Sequence, residues 1–404
     1  MKILMVNRVL YPLSAVEGAM LRLAGTLEAM GHEIMYFVRE HPKNLVLHDA
    51  FEAPLPAPGE DSVLKAMRRL LRDKDVLHCL KALLQQKKPD CAIVYQVNRT
   101  LTYTVLEALR EQHIPAFVMQ MDYTPVCPAR TMTHHDAECR RCLRGGFLHC
   151  MTQRCLDGDL LRSFLGAVEQ RYLRYTRRYS LPAKFLTPSA YHQQMMEQAG
   201  FTDSPVACVN LQLPQDAFDH QEPTQRGDYL LYVGSLVARK GLPVLLHALS
   251  LCVSNAPLII VGDGPDAAEM KRLCERLNLQ RRVEFRGHMP ARAVRQMMAR
   301  CLCLVTPSQC EEIGPWSLLE ALALGKPAIV SDYGVLPERV LHEHSGLVFP
   351  AGDSLALAQC IDEMTEVSDQ AYEIMCTSAR DDAARKYHPH AYAEHVLAEI
   401  NSVR

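Results

Sequence analysis

Apolar and polar positions along this chain fall into two alternating rhythms. Short apolar runs bounded by turn formers give way to stretches where apolar residues recur every three or four positions. Residues 2–6 (Lys-Ile-Leu-Met-Val) read as a strand that ends at Asn7-Arg8. From Val16 to Met30 the apolar residues Met20, Leu21, Leu23 and Leu27 keep helical spacing, and Gly31 closes the helix. Ile34–Val38 is the next strand. The rhythm recurs as Cys91–Val97, a helix around Tyr103–Glu111, and Ala116–Met121. Between 208 and 228 Pro214, Asp216, Asp219, Pro223 and Gly227 break any period, which predicts a linker. The alternation restarts with Tyr229–Val233, a helix over 242–252, Leu258–Val261, a helix over 266–277 and Val283–Arg286. It continues through Cys301–Val305, a helix over 316–324 and Ala328–Ser331. Strand–helix alternation of this kind predicts an α/β protein with two doubly wound parallel sheets. Ligands then sit at the carboxyl ends of the strands, and two facing sheets predict a cleft between domains.

Composition narrows this picture. A chain of 404 residues with 48% hydrophobic and 22% charged residues is globular and long enough for two or three domains. No apolar run approaches the ~18 residues of a membrane span, and the early break at Asn7-Arg8 argues against a signal peptide. The net charge of −2 argues against a nucleic-acid binder. Residues 1–215 nevertheless carry 26 basic and 21 acidic side chains, against 18 and 25 in residues 216–404, which leaves room for an anionic partner on the first half. Two stretches stand out there. One is a helix over 160–179 with Arg162, Arg171, Arg174, Arg177 and Arg178 among Tyr172, Tyr175 and Tyr179. The other is 64–88, with Lys65, Arg68, Arg69, Arg72 and Lys81. Basic amphipathic helices rest on anionic lipid or present a solvated face. The 15 cysteines, without an export signal, are expected to be reduced. The expectation is a soluble cytoplasmic protein with room for peripheral contact at the inner face of the membrane.

The densest chemistry lies in Glu312-Ile-Gly-Pro-Trp-Ser-Leu-Leu-Glu320, followed by Ala-Leu-Ala-Leu-Gly325-Lys-Pro327. Pro315 suits a first helical position, Gly325 an end and Pro327 a stop. The helix start then presents the amides of Trp316, Ser317 and Leu318 to a phosphate. Glu320 is the one charged residue between Ile313 and Gly325. It needs hydrogen bonds on an apolar helix, from a vicinal diol, from solvent or from an arginine. At the end of the strand 229–233, Gly234-Ser235 leads into Arg239-Lys240-Gly241, an adjacent cationic pair able to clamp a diphosphate or to form a solvated turn. Gly262-Asp-Gly264 follows a strand and opens a helix, but it lacks the later acidic residue of a dinucleotide fingerprint and reads better as a tight turn.

Taken together, Gly-Ser-Leu-x-x-Arg-Lys-Gly, Val261-Gly-Asp-Gly-Pro265 and Glu312-x7-Glu320, in this order, resemble the family 4 glycosyltransferases. The opening Met1-Lys-Ile-Leu, Tyr11-Pro12 and Gly31-His32-Glu33 and the closing Ser345-Gly-Leu-Val-Phe-Pro-Ala-Gly-Asp353 fit as well, so the resemblance spans nearly the whole chain. It implies a GT-B fold of two Rossmann-like domains facing a deep cleft. An acceptor-side domain would span 1–214 and a nucleotide-sugar domain 215–385, with a last segment, 386–404, crossing back to the first domain. It implies a retaining, hexosyltransferase-type enzyme of the glycogen synthase and mannosyltransferase group. Such an enzyme moves a sugar from a nucleotide-diphosphate-sugar to a glycan or lipid-linked acceptor, in cell-surface polysaccharide or glycoconjugate synthesis, and needs no cofactor for catalysis. By position, Glu312 corresponds to the family's glutamate near the donor sugar, Glu320 to the ribose binder, Lys240 to the cation on the leaving diphosphate and Asp122 to an acceptor-loop aspartate. Gly234, Ser235, Arg239, Gly262 and Gly264 line the donor side. Three departures stand out: Ser14-Ala15 replaces a Gly-Gly, Met121 a histidine before Asp122, and Ser235 an arginine. They leave open a non-catalytic binding partner with altered loops; a GT-B epimerase is a further alternative.

The loop 127–155 holds Cys139-x2-Cys142, Cys150 and Cys155, with Cys127, His134, His135 and His149 nearby. Four thiolates at such spacing fit a structural zinc. Reduced, unliganded thiols and an iron–sulfur cluster are the alternatives. A subset of the glycosyltransferase family is similar in this loop.

Overall fold

The structure, a computed structural model, describes residues 1–54, 73–95, 101–134, 137–219 and 225–403. The basic stretch expected at its start over 64–72, and the strand end at 96–97, lie outside the described residues. The chain divides into two compact units. The first comprises Met1–Thr131, Arg141–Gln212 and Tyr392–Arg404, the second Met132–Arg140 and Leu213–Ala391.

In the first unit, β1 (Lys2–Val6), β2 (Glu33–Arg39), β3 (Ala50–Ala53), β4 (Cys91–Tyr95) and β5 (Ala116–Met119) form a parallel sheet. A short hairpin, β6 (Thr133–His134) with β7 (Ala137–Glu138), intervenes in sequence before β8 (Lys184–Thr187) and β9 (Val206–Cys208) complete the sheet in the order β3-β2-β1-β4-β5-β8-β9. Ile3 pairs with Ile34 on one side and Cys91 on the other. Ile3 to Val6 are fully buried, because helices cover both faces of a parallel sheet and the strand must be apolar throughout. The helix Ala15–Ala29 buries Met20, Leu23, Ala24 and Leu27. The helix Pro389–Asn401 places Tyr392, Ala393, Val396 and Ile400 in the same core, where Lys184 Nζ donates to Glu399 Oε2 (2.7 Å) and Ser402 Oγ (2.7 Å). Strand β9 is not anticipated by the sequence reading and ends at Cys208, the first residue of the expected linker. Three residues are too few to show a period.

The hairpin also departs from the sequence reading, which keeps residues 132–140 in the first domain; they group with the second unit.

The second unit holds β10 (Leu230–Val233), β11 (Leu258–Val261), β12 (Val283–Gly287), β13 (Cys303–Thr306), β14 (Ala328–Ser331) and β15 (Gly346–Phe349). They are all parallel, in the order β12-β11-β10-β13-β14-β15. Strand order reverses between β10 and β13, which puts the ligand-binding position of such a sheet just beyond their carboxyl ends. Lys326, fully buried, donates from Nζ to the carbonyl of Cys301 (3.0 Å) at the other end of β13. No helix among the described residues is long and apolar enough to cross a membrane.

Candidate functional site

The loops leaving β10 and β13 meet at the switch point of the second sheet. After β10 the chain turns through Gly234 and Ser235 into a short 3-10 turn, Ala238–Lys240. After β13 it runs from Pro307 to Pro315 and enters the helix Trp316–Ala323. The two loops are tied together. The amide of Gln309 donates to the Arg239 carbonyl (2.8 Å), and Ser317 Oγ donates to the carbonyl of Val233 (3.1 Å). Lys240 and Glu312, expected on opposite sides of one reacting bond, are joined directly: Lys240 Nζ donates to Glu312 Oε1. Their side chains are 26% and 11% exposed. Tyr232, buried beneath them, donates its hydroxyl to the Ser235 carbonyl (3.1 Å). Burial, with the Glu312 charge adding, pushes that phenol well above its ordinary range. Sequence reasoning missed Tyr232, since a tyrosine in an apolar strand carries no signal of its own.

The loop after β11 forms the floor of this site. Gly234 N donates to Val261 O (3.0 Å), Leu236 N to Asp263 O (3.0 Å) and Ala238 N to Asp266 Oδ2 (2.7 Å). Gly262 has φ +135°, and a Cβ there would lie 1.9 Å from the Gly234 carbonyl oxygen. A Cβ on Gly264 would lie 2.4 Å from that of Leu236. Both glycines thus permit backbone to approach backbone. Asp266 was missed too; its role becomes visible only when the two loops lie side by side.

Expectations for the helix start need one correction. The amide of Trp316 is turned back onto the Gly314 carbonyl (2.8 Å) and is not presented to a ligand. Among the described residues no acceptor meets the amides of Ser317 and Leu318. The helix has no side-chain cap among these residues, so its positive end stays open to an anion. Glu320 lies in the second turn of the same helix, half-buried. Ser235 is exposed, and Arg239 half-buried.

The first unit carries the remaining candidates. Ser14 caps the helix Ala15–Ala29, and its hydroxyl donates to the carboxylate of Glu17, which also accepts from Arg8 Nε (2.7 Å). Glu17 is fully buried. Burial raises its carboxyl, but the bonds from Arg8 and Ser14 outweigh this and hold it below the usual carboxylate range. Ser14 and Glu17 thus set an internal anion at this helix start. Asp122 accepts from Gln120 Nε2 (2.8 Å) and the Thr124 amide (2.9 Å) on one oxygen, Oδ1. A histidine does stand by this loop, though not at position 121. The ring of His192, 1% exposed, lies 4.4 Å from that of Tyr123. Burial pushes its pKa down to about 3, against a smaller upward effect from the Asp122 backbone.

The expected four-sulfur set is not assembled. Cys139 lies in the segment that groups with the second unit, while Cys142, Cys150 and Cys155 lie in the first. Among the described residues no group of three or more His, Cys, Asp or Glu is arranged to hold a metal. The three sulfurs pack instead as small hydrophobes with Phe147, Leu156 and Ala167. Burial, with Cys155, Cys142 and Cys127 adding to it, pushes the Cys150 thiol up to about 12.

Two doubly wound units, each on a parallel sheet, are the architecture of the GT-B class of proteins, and the fold is GT-B. Residues 215–381, most of the second unit, match the family described as Glycosyl transferases group 1. Over 163 residues the chain is 32% identical to the uncharacterized glycosyltransferase MJ1607 of Methanocaldococcus jannaschii, covering 39% of this chain and 40% of that protein. Over 218 residues it is 24% identical to the putative colanic acid biosynthesis glycosyltransferase WcaL of Salmonella typhimurium, covering 52% and 54%. The chain thus spans about half or less of the length of these relatives. Among solved structures, Anabaena Alr3699/HepE in complex with UDP superposes with a TM-score of 0.68 over 100% of both chains at 16% identity, a likeness of fold.

Proposed function

We propose that this protein is a retaining glycosyltransferase that moves a sugar from a nucleotide-diphosphate-sugar to a glycan or lipid-linked acceptor in cell-surface polysaccharide synthesis. The observation that carries the reading is the Lys240–Glu312 pair at the switch point, beside a helix start whose Ser317 and Leu318 amides have no acceptor among the described residues. A diphosphate fits such a place because amide dipoles and one cation meet its charge. Glu320, one turn along the helix, takes the ribose hydroxyls. Lys240 leaves Glu312 for the diphosphate as negative charge builds on the leaving group, and Glu312 faces the sugar as positive charge grows on its ring. Asp122 serves the acceptor side from the first unit. WcaL is named for colanic acid biosynthesis and the HepE structure for its UDP, which supports a polysaccharide product and a uridine-type donor.

A second reading, a binding partner without turnover, is favoured by the Ser14–Glu17–Arg8 closure in the first unit. One experiment separates the two. Nucleotide sugars are screened by thermal shift, since a ligand bound to the native state raises the melting point. The stabilising donor is then incubated, radiolabelled, with lipid and oligosaccharide extracts. Labelled product with the anomeric configuration of the donor supports the transferase. A donor that binds but is never transferred assigns the protein to binding alone.

A further inference from the structure

The helix Leu160–Tyr175 buries one side and shows an apolar face to solvent. On the buried side Ala167 packs with Cys142, Phe147 and Cys150, alongside Ser163, Gly166, Gln170 and Leu173. At 3.6 residues per turn, Leu160, Leu161, Phe164, Val168, Arg171 and Tyr175 fall within about 100° of arc. They are exposed: Leu161 by 61%, Phe164 by 44%, Val168 by 39% and Tyr175 by 87%. The short helix Leu148–Thr152 packs against this one and adds Leu148, 70% exposed. Single exposed apolar residues are ordinary, but a contiguous stripe marks an interaction surface.

Charge identifies what the stripe meets. Residues 140–178 hold nine arginines and three acidic residues. The arginines singled out from sequence are mostly engaged elsewhere, which corrects the sequence reading. Arg174 stacks on the Phe147 ring (4.9 Å) and donates to the Pro125 and Leu143 carbonyls (both 3.3 Å). Arg162, Arg177 and Arg178 pair with Asp157, Asp203 and Glu107. Arg171, within the stripe, is exposed and forms no ion pair among the described residues. Arg141, Arg144 and Arg154 are likewise exposed and form no ion pair among the described residues. The stripe itself bears no acidic residue. A second copy docked through the same stripe would bring Arg171 no acidic partner, whereas an anionic surface meets its charge.

We propose that this face docks on an anionic lipid bilayer, with Leu161, Phe164, Val168 and Tyr175 entering the interfacial layer and Arg171 meeting headgroup phosphates. The inference deepens the transferase reading by placing the enzyme beside lipid-linked acceptors. Its test needs neither donor nor turnover, so its failure and that of the transferase reading are distinguishable.

The full chain is floated with vesicles of phosphatidylcholine alone and of an equal mixture with phosphatidylglycerol. Flotation with the mixed vesicles, weakened by salt, is expected. Leu161→Ser with Phe164→Ser lowers that partitioning by at least about tenfold, since two apolar side chains are withdrawn from the interfacial layer together. Arg171→Glu lowers it by about fivefold or more at low salt. All these positions are exposed, so unchanged melting points are expected to show that the variants fold. Equal flotation of wild type and variants overturns the proposal. So does absence of flotation with a dimer that Phe164→Ser dissociates, which assigns the face to a second copy.

Discussion

The Lys240–Glu312 pair yields the sharpest prediction, because the two partners should fail in opposite ways. In the ligand-free chain each neutralises the other, in a place where Glu312 is only 11% exposed. Two unit charges about 4 Å apart attract by about 4 kcal/mol at an effective dielectric near 20, and desolvation and solvent screening cut the net value to about 1–2 kcal/mol for a partly buried pair. A diphosphate must draw Lys240 away from that partner. Glu312→Gln removes the competitor, so the nucleoside diphosphate selected by the donor screen should bind about 5- to 30-fold more tightly. The same substitution should lower transfer by about 10²–10³, as a preorganised charge near the reacting carbon is lost. Lys240→Met should weaken diphosphate binding and lower turnover together. The double variant should transfer sugar no worse than about the poorer single variant, since residues acting as one unit are not additive. Calorimetry gives the affinities and radiolabelled transfer the rates. If Glu312→Gln weakens the diphosphate as much as Lys240→Met does, the pair is not the switch described here, and the coupling argument is wrong.

Three further outcomes follow from the geometry. Glu320→Gln should weaken nucleotide-sugar binding by about tenfold or more while leaving the melting point near wild type, because the amide keeps the shape but loses charge-assisted bonds; calorimetry and thermal melts check this. Gly262→Ala should destabilise the chain by more than about 2 kcal/mol in denaturant melts, since φ is +135° and the new methyl group would meet the Gly234 carbonyl at 1.9 Å. His192 should make the fold acid-sensitive. Its ring, held down to about 3 in the native state, takes up a proton on unfolding at any pH between that value and its ordinary 6.5. Stability is therefore full above about pH 6.5 and falls with acidification by up to about 1.4 kcal/mol per pH unit. Melting points followed from about pH 7 to pH 5 should fall less steeply for His192→Phe than for wild type.

The alternation of short apolar runs with helical periods determined the two parallel sheets. A strand buried on both faces must be apolar throughout, and that leaves a mark in the order of residues. Ile3–Val6, Leu258–Val261 and Ala328–Ser331 are legible for this reason, whereas the three residues of β9 are too short to be. The positions of Lys240, Glu312 and Glu320 were legible as well, because Gly, Pro and charge punctuate fixed offsets from the strand ends and the helix start. What the offsets do not contain is contact between segments far apart in sequence. Only the folded second unit joins Lys240 to Glu312 across 72 residues, turns the Trp316 amide away from ligand, and shows that Gly262 and Gly264 serve loop-to-loop packing. The cysteines make the same point in reverse. Their spacing suits four ligands on one ion, yet among the described residues no such group is arranged to hold a metal, and Cys142, Cys150 and Cys155 pack with apolar groups. Spacing limits which residues are able to meet. The sum of burial and hydrogen bonding over the whole unit decides which of them do.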